Sequence, residues 1–223
     1  MRPVQSFVLF FFLYISSSYG QIVSPSVPKT PGKNAKFLFY QHGAVVTELG
    51  NNAINQSVPE WGPYEYLNIL DSLRSRGFNV ISEIRQKGKD DSMYVNKIVK
   101  QIDTLLEAGI KTKNIIVLGA SAGWNITLHV SSKLKNSEMN YVIMGGCWPD
   151  SYKDYTGIEL YGNFLSIIEA SDPHGTCKQV FEKREHIKNY KEIMLKTGLS
   201  HGFIYKGYKE WIDPVVNWIE TIK

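Results

Sequence analysis

Ile115-Ile116-Val117-Leu118-Gly119-Ala120-Ser121-Ala122-Gly123 is the stretch on which the reading of this chain turns. A short, wholly apolar and β-branched run reads as a buried strand, and Ala122 to Leu134 behind it carries apolar residues at helical spacing. Between them lies Gly-Ala-Ser-Ala-Gly, a fit to GxSxG at the strand-to-helix junction that gives this motif its meaning. A turn that tight strains the serine and projects its hydroxyl. The positions two before and two after must then be small for strand and helix to approach, and Gly119 and Gly123 satisfy that. The alternative is a Gly-flanked turn with an ordinary serine at a helix N-terminus.

Working outward, strand-like runs alternate with helical ones. Strands are expected at Ala35 to Tyr40, Asn79 to Ile84, Ile115 to Gly119, Tyr141 to Gly145, Phe164 to Ala170 and Lys191 to Lys196. Helices are expected over Trp61 to Arg76, Asp91 to Ala108, Ala122 to Leu134, Lys178 to His186 and Tyr208 to Ile222. Near-continuous apolar strands separated by helices predict an α/β fold, with a predominantly parallel six-stranded sheet covered on both faces. Gln21 to Asn34, with three prolines and no period, reads as a surface leader.

A serine hydroxyl is a weak nucleophile until a base accepts its proton and a third group orients the base. Asp172 follows the Phe164 run at the end of the strand after next from the elbow, and His201 lies just past the Lys191 run with Gly202 to turn its loop. Each has a plainer reading, an Asp-Pro turn and a surface-loop histidine. His174 is too near Asp172 to be oriented by it, His129 reads as a packed residue on its helix, and His186 as a solvent-facing helix end. Stabilising an oxyanion also takes two backbone N–H groups. Ala122 would supply one. The loop Gln41-His42-Gly43-Ala44 would supply the other from Ala44, with Gly43 admitting the substrate and His42 serving as a structural hydrogen-bonder.

Composition narrows the rest. The 223 residues carry a net charge of only +4, without a basic run, which excludes a nucleic-acid binder. A 43% hydrophobic content spread along the chain suits one packed domain. Arg2, the nine apolar residues Phe7 to Ile15 and the small residues Ser18 and Gly20 read as a signal peptide over residues 1–20. Cleavage near Gly20 would deliver a secreted or periplasmic protein. Nine apolar residues are fewer than the roughly 20 a bilayer span needs, so no stable membrane anchor is expected. No metal-ligand spacing or cofactor motif appears. Two N-glycosylation patterns occur, at Asn55 and Asn125, and the second lies on the helix behind the elbow, where modification is not expected.

With HGA after the first strand, GASAG after the third, Asp172 after the fifth and His201 after the sixth, the chain from Phe37 to about Ile222 resembles the α/β-hydrolase superfamily. More narrowly it is similar to a group of small, lidless bacterial members, through PYEYLNILDSLRSRGFNVISEIRQKG and the elbow. The resemblance implies a minimal fold over residues 35–223, with the Asn79 and Ile115 strands flanking the Ala35 strand and a Ser121-His201-Asp172 triad. It implies a serine hydrolase acting on a small-molecule ester or other acylated substrate without a cofactor. Amidase, peptidase or transacylase chemistry on the same residues is an alternative, as is a non-catalytic binding protein of this fold. The superfamily's N-terminal antiparallel strands are not evident. Only 16 residues, Cys147 to Gly162, occupy the place of a lid, so an open site is expected.

The same strand order makes neighbours of the strands preceding Cys147 and Cys177, which implies a disulfide between them; two buried thiols are the alternative. Trp124 would fill part of the pocket or belong to the core. Glu83 and Arg85, two apart at a strand end, would face the same way. Arg85 would then hold an anionic group of the substrate, or pair with Glu83 or Glu60.

Overall fold

The computed structural model describes residues 23–54 and 60–221. The signal segment and the Asn55 pattern lie outside the described residues. Seven strands, β1 Val23–Ser24, β2 Lys36–Gln41, β3 Phe78–Ile81, β4 Ile115–Ala120, β5 Asn140–Met144, β6 Gly162–Glu169 and β7 Ile187–Leu195, form one sheet in the order β1-β3-β2-β4-β5-β6-β7. All pairs are parallel. Helices α1 Ala44–Leu49, α2 Tyr66–Ser75, α3 Asp91–Glu107, α4 Gly123–Leu134, α5 Lys178–Phe181 and α6 Lys209–Thr221 connect and cover them. No helix among the described residues is long and apolar enough to cross a membrane.

The period of two along the strands divides the core. Leu38 and Tyr40 of β2, Leu118 of β4 and Val142 of β5 face one side, packed under Ile69 and Leu73 of α2 and Trp211 and Val215 of α6. Phe37, Phe39, Val117 and Tyr141 face the other, under Ile98 and Ile102 of α3 and Ile126 and Val130 of α4. Such strands have no polar face, which is why their sequences read as unbroken apolar runs. Because β2 lies between β3 and β4, the chain leaves β2 and β4 toward opposite sides of the sheet. The loops after them open the crevice where sheets of this kind bind ligands.

Four features differ from the sequence expectation. The sheet has seven strands, because Val23–Ser24 of the expected leader pairs with Val80 and Ile81. Gln101 then holds the backbone of Val27 and Pro25. Two residues are too few to show a period. Helix α2 starts at Tyr66, five residues late, since Gly62 at φ 73 breaks the turn before it. Helix α5 stops at Phe181, where Lys183 turns left-handed at φ 63 and Arg184 reaches the carbonyls of Val180, Ile158 and Tyr155. His186, expected at a solvent-facing helix end, is instead half-buried and stacked on Tyr161, with ring centroids 4.5 Å apart.

Cys147 and Cys177 are joined, with Cα atoms 5.2 Å apart and a sequence separation of 30. The bond ties the short turn at Pro149–Tyr155, which stands where a lid would be inserted, to the loop before α5. Closing a loop of 30 residues restricts the unfolded chain by about 3–4 kcal/mol. Reduction is expected to lower the urea-unfolding free energy by that amount. An unchanged midpoint after complete alkylation would contradict it.

Candidate active site

β4 ends at Ala120, and Ser121 follows in the left-handed region, at φ 48, directly before Ala122 caps α4. A non-glycine residue there is strained, and neighbours must hold it. The Ser121 N–H donates to the Met144 carbonyl at 2.8 Å, and the Ser121 carbonyl accepts from Trp124 N–H at 2.9 Å.

The flanking glycines are required by contact. A Cβ on Gly119 would stand 2.5 Å from the Gly123 carbonyl oxygen, and one on Gly123 would stand 2.1 Å from that of Gln41. Gly123 therefore seats α4 against the end of β2 and brings the loop after β2 beside the serine. Gly123→Ala is expected to destabilise the fold by about 3 kcal/mol or more, because backbone and not a flexible side chain must give way. Chemical denaturation measures this, and a wild-type midpoint would show that the two backbones have room to part.

His201 Nε2 lies 2.9 Å from Ser121 Oγ, and His201 Nδ1 lies 2.7 Å from Asp172 Oδ2. The ionised carboxylate can only accept, so Nδ1 carries the proton and Nε2 is left to accept from the serine hydroxyl. Burial works to raise the Asp172 pKa. The His201 hydrogen bond and charge, with the His174 N–H 3.1 Å from Oδ1, hold it below the usual carboxylate range.

Residues not singled out from the sequence complete the surroundings. Trp61 packs its ring 5.4 Å from the His201 ring, and Gly145 presses on the other side, where a Cβ would meet His201 Cε1 at 3.0 Å. The His201 loop turns at Ser200, at φ 50, and Gly202 instead makes room for Trp61, whose Cβ would be 2.9 Å from an added methyl. Trp61 stands in Glu60-Trp61-Gly62-Pro63, where the turn-forming pair Gly-Pro beside a large aromatic was the available signal.

The loop after β2 lies against Ser121: a Cβ on Gly43 would be 3.2 Å from Ser121 Cβ. The Gly43 N–H points at the Tyr64 hydroxyl, 3.5 Å away. Ala44, the first residue of α1, has an N–H with no carbonyl to meet within its helix. His42 is fully buried; its Nε2 accepts from the Arg85 N–H at 3.0 Å and its Nδ1 donates to the Gly43 carbonyl at 2.8 Å. Burial and the Arg85 charge lower its pKa to about 3, so it stays neutral and structural.

One sequence expectation changes here, and another is decided between its two readings. β3 ends at Ile81, so Glu83 and Arg85 share no strand face. Glu83 pairs with Lys97 at 2.8 Å, and Arg85, 4% exposed, donates from its guanidinium to the His42 carbonyl. Its remaining terminal nitrogen is also closed to solvent, so Arg85 braces the loop after β2 and presents no face to a substrate. Trp124, 1% exposed, is a core residue packed on Tyr155 and Gly146. His174 is close to the site, its ring edge-on to His201 at 4.8 Å and its Nε2 4.0 Å from Asp172 Oδ1. Asp172, His174 and His201 thus bring donor atoms within 4.8 Å of one another. Both His201 nitrogens are already engaged by Asp172 and Ser121, however. Asn125, half-buried, donates to Asp91 and accepts from the Tyr155 hydroxyl.

No family model matches the sequence, and no curated protein matches it. Solved structures do. An α/β-hydrolase-type protein of unknown function from Agrobacterium tumefaciens superposes with a TM-score of 0.56 at 16% identity, covering 86% of this chain and 87% of its own. A sugar hydrolase from Lactococcus lactis gives 0.51 at 12% identity, covering 85% and 90%. At such identities the likeness concerns the path of the backbone, and on that ground the chain has the fold of the α/β-hydrolase superfamily.

Proposed function

We propose that this chain is a secreted serine hydrolase that cleaves carboxylic esters through an acyl-enzyme on Ser121. The observation that carries the reading is the unbroken run Ser121 Oγ to His201 Nε2 to His201 Nδ1 to Asp172 Oδ2, at 2.9 and 2.7 Å, on loops at the ends of three different strands. Two buried hydrogen bonds in series with the serine in a strained conformation have no evident structural purpose, since the fold would be served as well by alanine at 121. The apolar run at residues 7–15 supports export.

In this reading His201 accepts the hydroxyl proton as Ser121 attacks the acyl carbon, and Asp172 stabilises the imidazolium that results. The developing oxyanion is received by the N–H groups of Ala122 and Ala44, both at helix starts where backbone donors lack partners. His201 then passes its proton to the departing alcohol, and water repeats the sequence to release the acid. The short, tied-down turn at Pro149–Tyr155 suits small acyl groups, or acyl groups borne on a larger alcohol.

Incubation with a fluorophosphonate probe followed by peptide mass mapping tests the proposal. One adduct on Ser121 is expected, together with hydrolysis of p-nitrophenyl acetate. An unlabelled, inactive but folded protein would favour the binding-protein alternative.

A further inference from the structure

We propose that Glu169, the last residue of β6, is the positioning residue that fixes the acid and the base of the triad relative to each other. The inference rests on the triad reading above. Glu169 is 2% exposed in a strand that is otherwise apolar at that end, and no cation is paired with it among the described residues. A buried carboxylate must be compensated by hydrogen bonds, and here the compensation is complete. Oε2 accepts from Thr197 N–H at 3.0 Å and Thr197 Oγ1 at 2.7 Å, while Oε1 accepts from Gly198 N–H at 3.3 Å, Ser171 N–H at 3.4 Å and Ser171 Oγ at 3.1 Å.

These five donors belong to two loops. Ser171 immediately precedes Asp172; Thr197 and Gly198 begin the loop that ends at His201. Two further bonds complete the arrangement: Asp172 N–H donates to the Glu169 carbonyl at 2.9 Å within the first loop, and Ser200 N–H donates to Ser171 Oγ at 3.0 Å across the two. Burial works to raise the Glu169 pKa, and the Thr197, Ser171 and Gly198 donors outweigh it, so the group stays ionised. A carboxylate is required by this arrangement, because both terminal atoms accept. Glutamine has the same length, yet its NH₂ would face either the Thr197 donors or the Ser171 and Gly198 donors. Either the Thr197 bonds or the Ser171 and Gly198 bonds are then lost, and the remaining set no longer fixes the Asp172 to His201 distance.

Glu169→Gln in the full chain tests this, with turnover expressed per site titrated by the fluorophosphonate. Misplacing a catalytic group by about 1 Å costs on the order of 100-fold, so a kcat loss of about 10–100-fold with KM changed by less than about threefold is expected. The rate of fluorophosphonate labelling should fall by the same factor as kcat. Thr197→Val, which removes one donor to the carboxylate, and Ser171→Ala, which removes one donor together with the acceptor of the Ser200 N–H, should show smaller losses in the same direction. They decide the matter if Glu169→Gln does not fold. A lowered melting temperature with wild-type turnover per titrated site in the folded variants would overturn the positioning role alone, provided Ser121→Ala abolishes labelling. A wild-type protein that is not labelled at all would overturn this inference together with the triad reading.

Discussion

Ser121→Ala is expected to reduce hydrolysis of p-nitrophenyl acetate by at least about three orders of magnitude while leaving the unfolding midpoint within experimental error of wild type. The first half follows from the chemistry: Oγ is the only atom at the elbow that can form the acyl bond, and removal of a nucleophile leaves only what the oxyanion donors and binding contribute. The second half follows from the packing. The serine side chain makes one described hydrogen bond, to His201, and the strained backbone is held by main-chain bonds to Met144 and Trp124 that alanine keeps. Turnover within tenfold of wild type in this variant would remove Ser121 from the mechanism. A collapse of stability would mean that the hydroxyl has a structural purpose after all.

Asp172→Asn should be nearly as severe, at roughly 10³–10⁴-fold in kcat, for a different reason. The carboxylate Oδ2 accepts from Nδ1 of His201 at 2.7 Å and so keeps the proton on that nitrogen. An amide can present its NH₂ instead, which favours the tautomer with the proton on Nε2. That tautomer points a donor at Ser121 and cannot take its proton. The amide also fails to stabilise an imidazolium. Binding of a substrate analogue should be retained, since Asp172 faces the imidazole and the His174 backbone. Normal kcat in Asp172→Asn, with inactivity in Asp150→Asn or Asp154→Asn, would move the acid to the turn at Pro149–Tyr155.

The parts of this site that could be read in the sequence are those whose residue types are dictated by short-range geometry. Gly119 had to be glycine because the Gly123 carbonyl lies 2.5 Å from where a Cβ would be, a demand local to the elbow, and Gly123 follows from the close approach of helix and strand that the motif itself requires. Asp172 and His201 were legible through their order after apolar strands. What escaped was set by contacts across the fold. Trp61 belongs to the site because Gly62 turns left-handed and Gly202 leaves a gap for it, neither of which has a period to detect. Arg85 was read as a strand-end charge, but β3 stops four residues earlier and the side chain turns back under His42. Glu169 lies inside an apolar run and carries no motif; its partners Thr197 and Gly198, 28 and 29 residues away, are visible only in three dimensions.

The outermost strand has a bearing on how this protein behaves among copies of itself. β7 is nine residues long, β6 occupies one side of it, and no described strand occupies the other. A straight edge of that length is a template on which another chain can continue the sheet. Lys191, exposed along it, sets an ammonium group beside the path of an incoming strand, and a second copy would bring its own against it. Crowded, concentrated or partly unfolded protein thus meets a charge along the longer free margin of the described sheet, where an added strand would find the most backbone to pair with.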